Sequence, residues 1–198
     1  MGANDKLLTF DEATHRYTLC GMAVPSVTQI LSPLVDLAGI RADVLEAKRD
    51  LGSRVHLACQ LNDEDDLDEA SVEADVAPYL AAWRRFLLES GAKVLANEQQ
   101  VGEPLLMYAG TLDNVLELNG AKWVVDKKTS FATPMSAGPQ TAAYQRALGD
   151  TSITRRAAIR LRPDGTYRFD PLNGADDWST FVACLTLHRF KEAHRNDH

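Results

Sequence analysis

The sequence predicts one domain in which helices flank a single, mostly antiparallel sheet, at the border of the α/β and α+β classes. Three observations lead there. The 198 residues are 45% hydrophobic and 25% charged, enough apolar material for one ordinary core and too little for a second large one. Apolar residues recur first at helical spacing, then at strand spacing, then at each in turn toward the C-terminus. No repeat, linker or low-complexity stretch divides residues 1–198.

Residues 7–10 and 15–28 read as short strands that turn at Cys20-Gly21, an N-terminal hairpin. Residues 26–37 read as a short helix that Pro33 ends or kinks. Over 41–61, Val44, Ala47, Leu51, Val55 and Ala58 recur every three or four positions, an amphipathic helix. Residues 62–75 hold eight acidic side chains and no basic one. They read as a solvated loop entering the acidic first turn of the next helix, with an electrostatic gate as the functional alternative. That helix, 72–90, buries Val76, Tyr79, Leu80, Trp83 and Leu87 and stops at Gly91.

Strands follow at 93–101, 105–108, 111–118 and 121–129, the last two joined by Asn119-Gly120. A helix over 140–148 leads to a second hairpin, 157–162 with 166–170, around Pro163-Asp164-Gly165. A closing helix over 175–195 carries Trp178, Phe181, Val182 and Leu185 on one face.

Composition narrows the chemistry. Cys20, Cys59 and Cys184 form no C-x-x-C pair, so neither zinc nor an iron–sulfur cluster is expected on them, and they read as buried apolar residues in a reducing cytosol. No apolar run approaches the roughly 18 residues of a membrane span, and the first residues lack the order of a secretion signal, so a cytoplasmic protein without a membrane partner is expected. The formal charge of −7 argues against nucleic acid, but −8 of it sits in the loop 62–75, leaving +1 elsewhere. Arg84, Arg85, Lys122, Lys127, Lys128, Arg146, Arg155, Arg156, Arg160 and Arg162 are expected to make one face electropositive.

The Asn119-Gly120 hairpin allows its register to be computed. A two-residue loop pairs Leu118 with Ala121, so paired positions sum to 239 and Asp113 falls opposite Asp126. Opposed side chains share a face with Cβ atoms roughly 4.5–5.5 Å apart, and Lys128 lies on that face too. Two facing carboxylates repel, and packing does not reward them. Either a divalent cation joins them or Lys128 neutralises one as a simple ion pair. His56, on the helix beside the apolar stripe, is placed to reach inward. Gly52, one turn earlier, costs the helix about 1 kcal/mol relative to Ala, which close approach of a sheet or a phosphate backbone would explain.

The ordered motifs Gly52-x-x-x-His56, Gly110-Thr111-Leu112-Asp113, Val125-Asp126-Lys127-Lys128-Thr129-Ser130 and Gln140-x-x-x-Tyr144 resemble those of RecB-type nucleases of the PD-(D/E)XK superfamily. Small phage-type exonucleases share the pattern, and His15-x-Tyr17 with Pro25-Ser26-Val27-Thr28 is similar to the start of such proteins. Leu112 stands where the superfamily has its name-giving proline.

The resemblance implies a restriction-endonuclease-like core with a central mixed sheet, and a metal-dependent deoxyribonuclease, by analogy an exonuclease of phage or recombination and repair type. It implies that His56, Asp113, Asp126 and the backbone carbonyl of Lys127 bind Mg²⁺ or Mn²⁺, with Glu98 as a marginal further carboxylate. Asp113, Asp126 and Lys128 would be catalytic. Gln140 and Tyr144 would contact the nucleic-acid backbone or position the site, with Ser53 and Thr129 as further substrate contacts. Neither an iron–sulfur cluster nor a nucleotide cofactor is expected. The chain has no G-x-x-x-x-G-K-[ST] loop, so unwinding would fall to a helicase or recombinase partner. The competing readings are a catalytically silent DNA-binding module and a metal-stabilised scaffold for a partner protein.

Overall fold

The computed structural model describes residues 8–35 and 39–195. Three short strands, β1 (Leu8–Asp11), β2 (Arg16–Leu19) and β3 (Met22–Val24), form a small antiparallel sheet in that order. Leu7, expected to open β1, lies outside the described residues. Cys20 (φ 53°) and Gly21 (φ 79°) make the tight β2–β3 turn, which leaves Cys20 exposed rather than buried. The next helix, α1 (Val27–Ile30), is a single turn started by a capping box between Ser26 and Gln29. Pro33 lies in a 3₁₀ turn, Ser32–Leu34, that replaces most of the expected longer helix. Residues 36 and 37 of that expectation lie outside the described residues.

Helix α2 (Ala42–Asp63) buries only its second half, through Val55, Ala58 and Cys59. Val44 and Ala47, expected on the buried stripe, are exposed because, among the described residues, no element packs over the first half. The helix also takes in Asn62 and Asp63, the expected start of the acidic loop. The rest of that loop is pinned: Arg54 binds Glu73 and Asp75, and Arg84 binds Glu69. Helix α3 (Ala77–Ser90) begins later than periodicity suggests, with Pro78 in its first turn, and ends at Gly91 in the left-handed conformation.

The main sheet has the order β4 (Lys93–Glu103), β5 (Tyr108–Leu118), β6 (Ala121–Lys128), β7 (Ile153–Leu161) and β8 (Tyr167–Pro171). Residues 104–107 form the β4–β5 turn, so the strand expected at 105–108 survives only as the first residue of β5. The β6–β7 ladder is parallel and the others antiparallel. Helix α4 (Ala137–Leu148) makes the crossover a parallel pair needs, starting three residues before the expected Gln140. Helix α5 (Asp177–Ala193) closes the chain.

The buried side chains sort into two cores. Leu116, Trp123, Val125 and Ile159 face α2 and α3, with Val55, Trp83 and Phe86. Leu112, Val115 and Val124 face α4 and α5, with Tyr144 and Phe181. The expected central mixed sheet flanked by helices is thus what the chain forms, and among the described residues no helix is long and apolar enough to cross a membrane.

Gly110 in β5 shows how closely α4 sits on the sheet. A Cβ there would stand 2.8 Å from Tyr144 Cε1 and 3.4 Å from Val27 Cγ2. Gly110→Ala is therefore expected to destabilise the fold by about 1–3 kcal/mol, measured by urea unfolding, through displacement of the Tyr144 ring. An unchanged midpoint would contradict this packing.

Candidate metal centre

The computed hairpin register holds. Leu118 pairs with Ala121, and the ladder runs to Asn114–Val125. One step further it ends, because the Asp113 carboxylate, not a backbone carbonyl, accepts the Lys127 N–H at 2.6 Å. The ladder does not include the Asp113–Asp126 step that the register would set next; both side chains are buried, and the Asp113 charge acts on Asp126.

A third carboxylate joins the row. Between the pairs Asn97–Asn114 and Gln99–Leu112, Glu98 stands across from Asp113. Its backbone is left-handed (φ 43°), a strained conformation for a non-glycine residue and one that clusters at functional sites. Glu98, marginal in the sequence reading, is therefore central. The sequence signal is the same register arithmetic applied to β4 and β5, in which paired positions sum to 211, but the turn at 104–107, read as strand, concealed it.

His56 arrives from α2. Its Nε2 lies 3.2 Å from the Lys127 carbonyl oxygen, and its Nδ1 lies 3.6 Å from both Glu98 Oε1 and Asp113 Oδ1. In the tautomer that donates from Nε2, the Nδ1 lone pair faces the carboxylates. The Lys127 carbonyl then orients His56 and is not free to serve solely as the ligand the sequence reading made it.

Lys128 completes the centre from the α4 side. Its Nζ lies 2.7 Å from Asp126 Oδ2 and donates to Gln140 Oε1 at 3.2 Å. Gln140 Nε2 in turn reaches the Tyr144 hydroxyl at 3.5 Å. Gln140 and Tyr144 are 8% and 3% exposed and line up behind Lys128, the positioning alternative of the sequence reading. Ser53 is exposed and donates its hydroxyl to the Arg49 carbonyl. Thr129 is half-buried, and its Oγ1 would lie 3.9 Å from a Cβ added at Gly52.

The electrostatics follow from burial. Loss of solvent pushes Asp126 up to about 6, against the opposing pull of Lys128. Burial disfavours charge on His56, but Asp113 and Glu98 outweigh it and raise its pKa above the ordinary value. Burial likewise works against the Lys128 ammonium, and Asp126 and Asp113 overcome it, raising that pKa. Of the residues expected on a basic face, Arg84, Arg85, Lys122, Arg156 and Arg160 each pair with a carboxylate, and Arg146 and Arg155 lie over Trp178 and Trp123.

The residues fit a hard divalent cation. Glu98 Oε1 and Asp126 Oδ1 are buried without a hydrogen-bond partner, which is costly unless something else compensates, whereas Asp126 Oδ2 already faces the Lys128 ammonium at 2.7 Å. Ligand atoms of His56, Glu98 and Asp113 lie within 4.8 Å of one another. One imidazole and several carboxylate oxygens suit Mn²⁺ or Mg²⁺ better than a soft metal.

The raised pKa values fix the sign of a pH effect. The folded chain holds the Asp126 and His56 protons more tightly than the unfolded chain, so metal-free stability falls as pH rises through about 6 and then through the raised His56 value. A cation needs both groups deprotonated. The Mn²⁺-induced rise in Tm should therefore be small at pH 5 and grow steadily to pH 8 in scanning calorimetry. A pH-independent rise would contradict the assignment of Asp126 and His56 to the centre.

No protein-family model matches the chain, and no curated protein matches it. Among solved structures it is similar to an alkaline exonuclease (LHK-Exo) from Laribacter hongkongensis, at 13% identity and a TM-score of 0.41, over 87% of this chain and 93% of that one. A likeness of that size carries no argument about activity, and the residues of the centre bear the functional reading.

Proposed function

We propose that this chain is a divalent-metal-dependent nuclease that hydrolyses phosphodiester bonds in DNA, acting as an exonuclease in the cytoplasm. The observation that carries the reading is the row Glu98–Asp113–Asp126 with His56 above it and Lys128 beside it. A sheet gains nothing from buried carboxylates brought face to face, whereas phosphodiester hydrolysis needs such a group of ligands and a nearby ammonium. A divalent ion bound there supplies an acidified water and polarises a phosphoryl oxygen.

The chain's own residues supply the rest. Lys128, fixed by Asp126 and Gln140, places a positive charge where negative charge develops on phosphorus and holds a nucleophilic water in line. Tyr144 backs Gln140 and so positions Lys128 without touching substrate. His56 is oriented by the Lys127 carbonyl. Phe131, 92% exposed on the loop just after β6, offers a stacking surface for a nucleobase beside the centre. Unwinding of long duplex would come from a helicase or recombinase partner.

Gly52 supports the substrate's approach. Its nearest neighbour across the mouth is Thr129 Oγ1, and a methyl group would fit in ordinary contact, so the fold does not demand glycine. A phosphate backbone passing between α2 and Thr129 would.

Incubation of end-labelled DNA with Mn²⁺ should release label, and EDTA should prevent it. Lys128→Ala should lower the rate by about 10²–10³-fold while DNA and Mn²⁺ binding persist. Cleavage at the wild-type rate by that variant would overturn the assignment of Lys128. DNA binding without cleavage by the wild type would favour the silent module, and a metal-induced Tm shift with no DNA effect would favour the scaffold.

Gly52→Ala separates structure from substrate. It should stabilise the fold by up to about 1 kcal/mol through helix propensity and yet raise KM for DNA. A stabilised variant with unchanged KM would remove Gly52 from the substrate path.

A further inference from the structure

We propose that Lys127 is a resident cation that limits the carboxylate row to a single divalent ion, an inference that rests on the metal-centre reading above. Lys127 alternates to the side of β6 opposite Asp126 and Lys128. Its side chain is 0% exposed, and its ammonium is buried without a hydrogen-bond partner.

What surrounds the ammonium is specific. Glu98 Oε1 lies 3.8 Å away and the Trp83 ring centroid 5.3 Å away. Asp63, held by Trp83 Nε1 at 2.7 Å, also feels its charge. The neighbouring Cys59 thiol is neutral, since burial pushes it up to about 12. His56 Nδ1 approaches the same Glu98 oxygen at 3.6 Å. The Lys127 stem fills the α2–α3 core as any aliphatic chain would, so packing alone does not call for a charged end.

The ammonium is directed to the same Glu98 oxygen that belongs to the ligand cluster. At the other end of the row, Lys128 occupies Asp126 Oδ2. Each outer carboxylate therefore already faces a fixed positive charge. The group of His56, Glu98 and Asp113 ligand atoms, within 4.8 Å of one another and with Asp126 beside it, is where a further cation fits. A second divalent ion on the outer side of Glu98 would stand within roughly 4–6 Å of Lys127 in a poorly screened interior, where like charges repel strongly. Lys127 thus acts through Glu98 as a positioning residue and does not itself meet the substrate.

Isothermal titration of the full chain with Mn²⁺, read together with its electron paramagnetic resonance spectrum, tests this without reference to cleavage. The wild type should bind one Mn²⁺ and show an uncoupled spectrum. Lys127→Met should bind two, or bind the first at least about tenfold tighter. Lys127→Arg, which keeps the charge, should still bind one. Two Mn²⁺ with a spin-coupled signal in the wild type would overturn the proposal, a result that needs no variant to fold. A Lys127→Met protein with unchanged stoichiometry and affinity would also overturn it. One bound Mn²⁺ without DNA cleavage would leave the role of Lys127 standing and remove the nuclease reading, whereas no bound Mn²⁺ would overturn both.

Discussion

Three carboxylates held side by side in a sheet repel one another, and most of the unusual features of this chain follow from that repulsion. Asp113 and Asp126 are brought together by the Asn119-Gly120 turn, and Glu98 is added from β4 by a left-handed backbone residue. Solvent does not relieve the row, because Asp113 and Asp126 are buried. Relief comes from His56 above, Lys128 on one side of β6 and Lys127 on the other, and the remaining deficit is what a divalent cation would fill.

The fold around the row is a support for that geometry. The parallel β6–β7 step requires α4, and α4 carries Gln140 and Tyr144 to the position from which Lys128 is held. The absence of a side chain at Gly110 lets the Tyr144 ring lie against β5. On the other face, α2 presents His56 only because its second half packs on α3 and the sheet through Val55, Ala58 and Cys59. The surface arginines serve a different end: Arg54 and Arg84 tie down the acidic segment after α2, exposed pairs of the kind that contribute little individually to stability.

How much of this was legible in the sequence depended on whether local chemistry fixed the geometry. Asn119-Gly120 permits one tight turn, so the Asp113–Asp126 register followed from counting. The β4–β5 connection has no such signature: apolar Leu105 and Leu106 look like strand but lie in a turn, so the place of Glu98 was hidden. Periodicity gave α2 its length but not its burial, because which half meets a neighbour is a tertiary matter. Gln140 looked like the first residue of a helix and lies instead one turn inside it, buried against Lys128. Lys127 reads from sequence as a carbonyl ligand and one member of a basic face, and its burial is missed because nothing local says where the ammonium ends.

The central claim is that the carboxylate row exists to hold a metal ion rather than as an internally neutralised ion-pair network. Diffraction from crystals of the chain grown with Mn²⁺, recorded at a wavelength where manganese scatters anomalously, tests it most directly. The account predicts one strong anomalous peak between His56, Glu98, Asp113 and Asp126. An ordered centre with no anomalous density there, and Lys127 and Lys128 still paired to Glu98 and Asp126, would contradict it.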